Sequence, residues 1–206
     1  MLLLAQSFPL ETNDRLKAHG TLVSPESYKG LKSIRVSESG SGGESLVLID
    51  QLAFMDGSIE LELAGAPLTS ASGAARGFVG IAFHVASPEK YEAFYLRPTN
   101  GRADDQVRRN HSAQYISHPD YPWERLRKEF PEKYESYVDL ESGAWTKIRV
   151  EVKGISARLF VHGQAQPTLI VNDLRLGATK GGIALWIGPG TEAHFRNLHV
   201  RADEQK

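Results

Sequence analysis

The chain has 206 residues, 41% hydrophobic and 24% charged, enough apolar side chain for a sizeable core. Lys and Arg number 24 against 25 Asp and Glu, so the net charge of -1 excludes a dominant electrostatic pull on nucleic acid or on an anionic membrane surface. Cysteine is absent, which removes disulfides, thiolate metal sites and cysteine nucleophiles.

The N-terminal Met1–Ala5 is apolar but much too short to span a bilayer, and no basic segment precedes it. It is not a complete secretory signal, so the compartment is left unknown. A leader trimmed from this end would make it periplasmic or extracellular. Leu2, Leu4 and Phe8 can pack, which predicts an ordinary first strand. No other apolar run approaches the roughly 20 residues of a membrane helix.

From there the dominant period is two. Strands are predicted near 31–36 and 45–50, joined by a glycine-rich hairpin connection at 40–43. Ser58–Leu63 alternates polar and apolar residues, as a strand with one buried face must. Strands follow at 77–86 and 90–97. Residues 98–142 break the pattern with prolines, both signs of charge and six aromatics, and are expected to form an ordered lid or wall. This insertion holds a strand near 112–117 and a short helix over 120–130, capped by Asp120 and with Pro122 in its first turn. Trp123, Leu126 and Phe130 would share one face of that helix. Lys147–Val152 and Ala157–His162 flank a Lys153-Gly154 turn and form a hairpin. Strands near 168–172, 181–188 and 193–201 complete the series, and a polar tail closes the chain. Many short strands and few helical segments predict an all-β fold: an antiparallel two-sheet jelly-roll sandwich with one ordered insertion, built as one domain over 1–206 with its core at about 20–201.

Strand alternation assigns faces. Val79, Ile81, Phe83 and Val85 belong between the sheets, with Phe94, Leu96, Ile183, Leu185 and Ile187. The opposite face then carries Phe78, Gly80, Ala82 and His84, then Tyr91, Ala93, Tyr95 and Arg97, then Ala184 and Trp186. Small residues on that face admit something close to the backbone. His84, Tyr95, Arg97 and Trp186 are therefore expected to converge on one ligand face. A pyranose suits it, since its C–H face packs on aromatic rings and its hydroxyls take hydrogen bonds. A second reading has the insertion covering this face, with Tyr95 and Trp186 packed against Trp123 or Phe130.

The densest polar stretch is 97–111. Arg97, Asn100, Asp104, Arg108 and His111 either line a pocket whose arginines hold a carboxylate such as a uronate, or form an ion-pair network that pins the loop. His84 and His111 are the first candidates for general acid or base, with Asp105 or Glu124 as the partner carboxylate. Tyr95, Arg97, Asn100, Arg108 and Trp186 are the candidate ligand contacts. His111 and His118 with Asp104, Asp105 or Glu124 match no strong metal spacing, so no metal ligand is assigned. Neither a phosphate-binding glycine loop nor a Gly-x-Ser-x-Gly elbow occurs.

Phe54-Met55-Asp56-Gly57-Ser58-Ile59-Glu60-Leu61-Glu62-Leu63 resembles the F-x-D-G-T-I-E-F-D-L strand of bacterial concanavalin A-like jelly rolls. Gly77–Phe83, Phe94–Pro98, Trp145–Val150 and Phe195–Val200 follow in the same order. Over about 30–201 the chain resembles the laminin-G-like group around the 3-keto-disaccharide hydrolase domain. The resemblance implies two stacked sheets with a carbohydrate on the concave one, and it leaves room for a divalent metal cofactor. It implies either a hydrolase or lyase processing a glycoside, or a non-catalytic carbohydrate-binding module or lectin. The Glu-x-Asp-x-x-Glu strand of retaining glucanases on this fold is missing, so two-carboxylate hydrolysis of that kind is not expected. A saccharide is the expected partner; nothing points to nucleic acid, a membrane or a protein.

Overall fold

The structure is a computed structural model that describes residues 4–40 and 45–203. The strands are β1 (Leu4–Phe8), β2 (Leu16–His19), β3 (Thr21–Tyr28), β4 (Leu31–Glu38), β5 (Leu46–Ile49), β6 (Gly57–Pro67), β7 (Val79–Ser87) and β8 (Lys90–Leu96). A short helix α1 (Gln106–Asn110) leads into β9 (Ala113–His118). Helix α2 (Trp123–Glu129) precedes β10 (Glu135–Ser136). Then come β11 (Thr146–Lys153), β12 (Ser156–Val161), β13 (Leu169–Val171), β14 (Gly182–Ile187) and β15 (Thr191–Ala202). The larger sheet runs β13-β12-β11-β6-β15-β4-β3, with β1 also on β15. The smaller runs β10-β9-β8-β7-β14-β5-β2. Every pairing is antiparallel. This is a concanavalin A-like jelly-roll sandwich.

Register explains the core. On the smaller sheet Val79 pairs with Leu96, Ile81 with Phe94 and with Leu185, so one face is continuously aliphatic and aromatic. It meets Ile59, Leu61, Leu63, Ile148, Val150 and Phe195 of the larger sheet, and all of these are buried. Burying each such side chain stabilises the fold by about 1.5–3 kcal/mol before chain entropy is counted. The first strand is observed as β1; Leu2 and the 41–44 part of the glycine-rich connection lie outside the described residues.

Three strands have no counterpart in the sequence reading: β2, β3 and the two-residue β10. β3 is an edge strand with a mostly exposed pattern and Pro25 within it, so it carries no apolar alternation to find. β2, the opposite edge of the smaller sheet, is four residues long and half of the alternation signal is missing.

The 98–142 segment is less of an excursion than its composition implies. β9 pairs along β8, and β10 pairs with β9, so the segment supplies one whole edge of the smaller sheet. A Cβ on Gly101 would lie 2.3 Å from the Leu140 backbone nitrogen, so glycine lets the two ends of the segment close on each other. α2 starts later than expected. Pro122 stands at its N-cap without a side-chain hydrogen bond, and the Asp120 carbonyl instead accepts from Arg125 Nη1 at 2.8 Å. Leu126 is buried and Phe130 packs on the core, but Trp123 is 38% exposed and turns toward the concave face.

Candidate functional site: an aromatic cleft on the concave sheet

On the concave face of the smaller sheet, Gly80 sits between Tyr95 on β8 and Trp186 on β14. A Cβ there would meet the Phe94 carbonyl oxygen at 2.2 Å and the Tyr95 Cβ at 2.6 Å. What the small residue admits is thus the sheet's own aromatic. The Tyr95 and Trp186 rings stack at 4.6 Å, and Phe78 meets Tyr95 edge-on at 6.1 Å. Trp186 Nε1 donates to the Tyr91 hydroxyl at 3.0 Å, which fixes the indole.

Above this floor opens a cleft of about 620 Å³, within the range of small-ligand sites. Its floor is Tyr95, Trp186 and Ile116. Phe78 and the 72–75 and 187–190 segments form one side. Pro122, Trp123 and Glu124 of the insertion form the other. Glu38, Ser45 and His118 add polar groups, and among the described residues no lysine or arginine lines the cleft. Tyr95 and Trp186 are only 2% and 7% exposed, so the rings a ligand can reach best are Trp123 and Phe78.

Behind Tyr95 lies a buried charged layer. Arg97 donates to the Tyr95 hydroxyl at 2.7 Å, to Gln114 Oε1 at 3.0 Å, to the His111 carbonyl at 3.0 Å and to Glu135 Oε1 at 3.1 Å. Arg127 grips the same carboxylate through both nitrogens. The two guanidinium groups also lie over the Trp123 ring, Arg97 at 5.8 Å and Arg127 at 4.6 Å. Burial opposes the Glu135 charge, but the Arg127 hydrogen bond and charge, then Arg97 and His111, outweigh it and hold the carboxyl below its ordinary range. Burial pushes the Tyr95 hydroxyl up to about 12, so it stays protonated.

The cleft gathers only part of what the sequence pointed to. Tyr95, Trp186 and Glu124 line it. Arg97 lies behind Tyr95, with its donors spent on protein acceptors. Asn100 is buried; its amide donates to the His111 carbonyl at 3.2 Å and its oxygen accepts from Arg108 Nη2 at 3.4 Å. Arg108 is exposed on α1, and Asp105 caps that helix by accepting from the Arg108 backbone N–H at 2.7 Å. These hydrogen bonds pin the polar stretch as a loop. His111 closes α1 and faces Glu135, not Asp105 or Glu124, at 3.5 Å; burial lowers its pKa.

His84 is the clear correction. The β7–β8 register is regular up to Phe83 opposite Glu92 and shifts before Ser87. His84 sits in that bulge with φ at +52°, a conformation uncommon outside glycine. The bulge breaks the alternation that put His84 beside Trp186. Its ring turns to Glu92, with Nδ1 2.7 Å from Oε2, and Nε2 lies 2.9 Å from the Met55 carbonyl. Both side chains are sealed from solvent. The Tyr115 hydroxyl and the Leu176 backbone N–H also donate to Glu92.

Among the described residues no group of three or more His, Asp and Glu is placed to hold a metal ion. His118 stacks on Tyr91 at 5.1 Å inside the cleft, apart from His111. Four site residues were not named as candidate contacts: Glu38, Glu135, Phe78, which alternation had put on this face, and Trp123, which lay in the expected wall. Arg127, four residues after Trp123, is the signal for the last, since it places a guanidinium on the ring and marks a half-exposed helix face. Glu135 carries no local signal at all.

No protein-family model and no curated protein matches the chain. Solved structures do match in fold. The carbohydrate-binding module CBM66 from Bacillus subtilis superposes with a TM-score of 0.61 at 11% identity, covering 90% of this chain and 95% of that one. Domain 4 of AbnA, an extracellular arabinanase from Geobacillus stearothermophilus solved with arabinotriose, gives 0.56 at 12% identity over 99% and 94%. The β-glucanase of Bacillus licheniformis gives 0.54 at 12% over 97% and 98%. At these identities the similarity shows the concanavalin A-like fold.

Proposed function

We propose that the protein is a carbohydrate-binding module whose ligand lies in the concave cleft. The observation that carries this reading is that an exposed Trp123 on one side and Phe78 on the other face each other across a Tyr95 and Trp186 floor in one cleft of about 620 Å³. Apolar ring faces take the C–H side of a pyranose, and Glu38, Glu124, Ser45 and His118 are positioned to accept or donate hydrogen bonds to hydroxyls. Fold neighbours that bind saccharides, one of them solved with arabinotriose, support the same ligand class.

A second reading keeps a glycoside hydrolase or lyase, because His118 and Glu124 share the cleft and offer an imidazole and a carboxylate for proton transfer. Against it, His84, His111 and Asp105 stand outside the cleft. Calorimetric titration of an oligosaccharide panel tests binding. Trp123→Ala is expected to weaken the best ligand at least tenfold, and unchanged affinity would remove the cleft from consideration. Incubating the same panel and analysing it by chromatography separates the readings: new reducing or unsaturated products favour the enzyme, and recovery of intact sugar favours the module.

A further inference from the structure

We infer that the cleft selects a positively charged saccharide, one carrying free amino groups on its rings, and rejects uronates and sulfated sugars; this rests on the cleft being the saccharide site. The argument is one of charge placement. Among the described residues, Glu38 and Glu124 are the carboxylates on the cleft lining, and no lysine or arginine is part of it. They come from different elements. Glu38 ends β4 and accepts the Gly190 backbone N–H at 3.1 Å, beside the segment that follows β14. Glu124 is in the first turn of α2, which packs near β9. β8 and β7 lie between β9 and β14, so the carboxylates flank the Tyr95–Trp186 floor from its two sides.

The cations that could have neutralised them are committed elsewhere. Arg97 and Arg127 both close on Glu135, behind the aromatic floor. Among the described residues neither Glu38 nor Glu124 forms an ion pair with a lysine or arginine. Glu38 is half-buried and Glu124 exposed, so their field reaches the cleft through partly solvated space and is strongest at low salt. An ammonium is drawn there by the two carboxylates, while the Trp123 ring already carries the Arg97 and Arg127 guanidinium groups. A uronate carboxylate meets like charge from Glu38 and Glu124.

The test uses the whole chain and three oligosaccharides of matched length: a β-1,4-linked glucosamine oligomer, its N-acetylated form and a galacturonic acid oligomer. Titration calorimetry at pH 6 and low salt is expected to rank the amino sugar at least tenfold above the N-acetylated one, with no measurable uronate binding. In Glu38→Gln/Glu124→Gln the ratio of the two affinities should fall toward one, and raising salt should lower the same ratio in the wild type. Gln keeps an acceptor for the Gly190 N–H, and a melting curve verifies that the variant is folded. Equal affinity for amino and N-acetylated sugars, or binding of the uronate, overturns the charge inference while leaving a saccharide cleft in place. Binding of none of the three, nor of any sugar in the wider panel, overturns the cleft itself and the inference with it.

Discussion

Two carboxylates are buried in the smaller sheet, one on each of its faces, and they are satisfied in opposite ways. Glu92 points between the sheets, where His84, the Tyr115 hydroxyl and the Leu176 N–H surround it. Glu135 lies on the concave side under two guanidinium groups. Both are almost wholly buried. The difference is in what their partners do next. The partners of Glu92 end in the core, at Met55 and at the 175–176 turn. Those of Glu135 continue outward, because Arg97 holds the Tyr95 hydroxyl and both arginines lie against Trp123. A buried ion pair is weak evidence for stability and no evidence for function. Its second contacts decide which of the two it serves.

That contrast can be broken by substitution. Glu92→Ala is expected to have the largest effect, a loss of about 3–5 kcal/mol in denaturant unfolding, since three donors are left without an acceptor inside the core. Saccharide affinity of the protein that remains folded should stay within twofold, because no partner of Glu92 lines the cleft. Glu135→Gln should cost less, about 2 kcal/mol, as Arg127 is partly open to solvent and its pairing is screened. It should nonetheless weaken saccharide binding several-fold by releasing Trp123 and Tyr95. A Glu135→Gln protein that binds as well as wild type would mean that the charged layer merely fills space. A Glu92→Ala protein whose stability is unchanged would mean that its carboxylate is not the acceptor the core depends on.

Much of this architecture was legible because sheet alternation is a local signal. Val79, Ile81 and Phe83, or Ile183, Leu185 and Ile187, declare their face wherever the strands pair. Tyr95 and Trp186 follow from the same rule, and the cleft does contain them. His84 defeats the rule since one extra residue in a bulge turns a side chain to the other face, and nothing in Phe83-His84-Val85 marks the position. Arg97 obeys it and still does not reach the cleft. Its side chain is captured by Gln114 and Glu135, whose positions depend on how β9 and β10 pair. Helical spacing put Trp123 on one face with Leu126 and Phe130, but a helix of seven residues with one buried side chain has little apolar face to define. What sequence hides here is the set of partners that arrive from 17 to 38 residues away.

Acid separates the wild type from the Glu135 variant more gently than mutation does. Glu135 has a folded pKa below its ordinary value, so the stability it contributes is complete above the unfolded value of about 4.3 and is lost as pH falls through the lower folded one. His111 moves in the other sense: burial lowers its pKa, the folded chain resists its protonation, and stability declines as pH drops below the unfolded value of about 6.5. Two acid-side steps are therefore expected in a plot of unfolding free energy against pH. Glu135→Gln should shrink the one below about 4.3, to which Asp50, Asp139 and Asp173, also held low by their cationic partners, still contribute, and His111→Gln should flatten the one that begins near 6.5. His194, also depressed by burial, will leave part of the upper step in place. If His111→Gln leaves the slope between pH 6.5 and 5 unaltered, the imidazole facing Glu135 is not among the groups that resist protonation in the folded chain, and the charged layer then reduces to Arg97, Arg127 and the carboxylate they share.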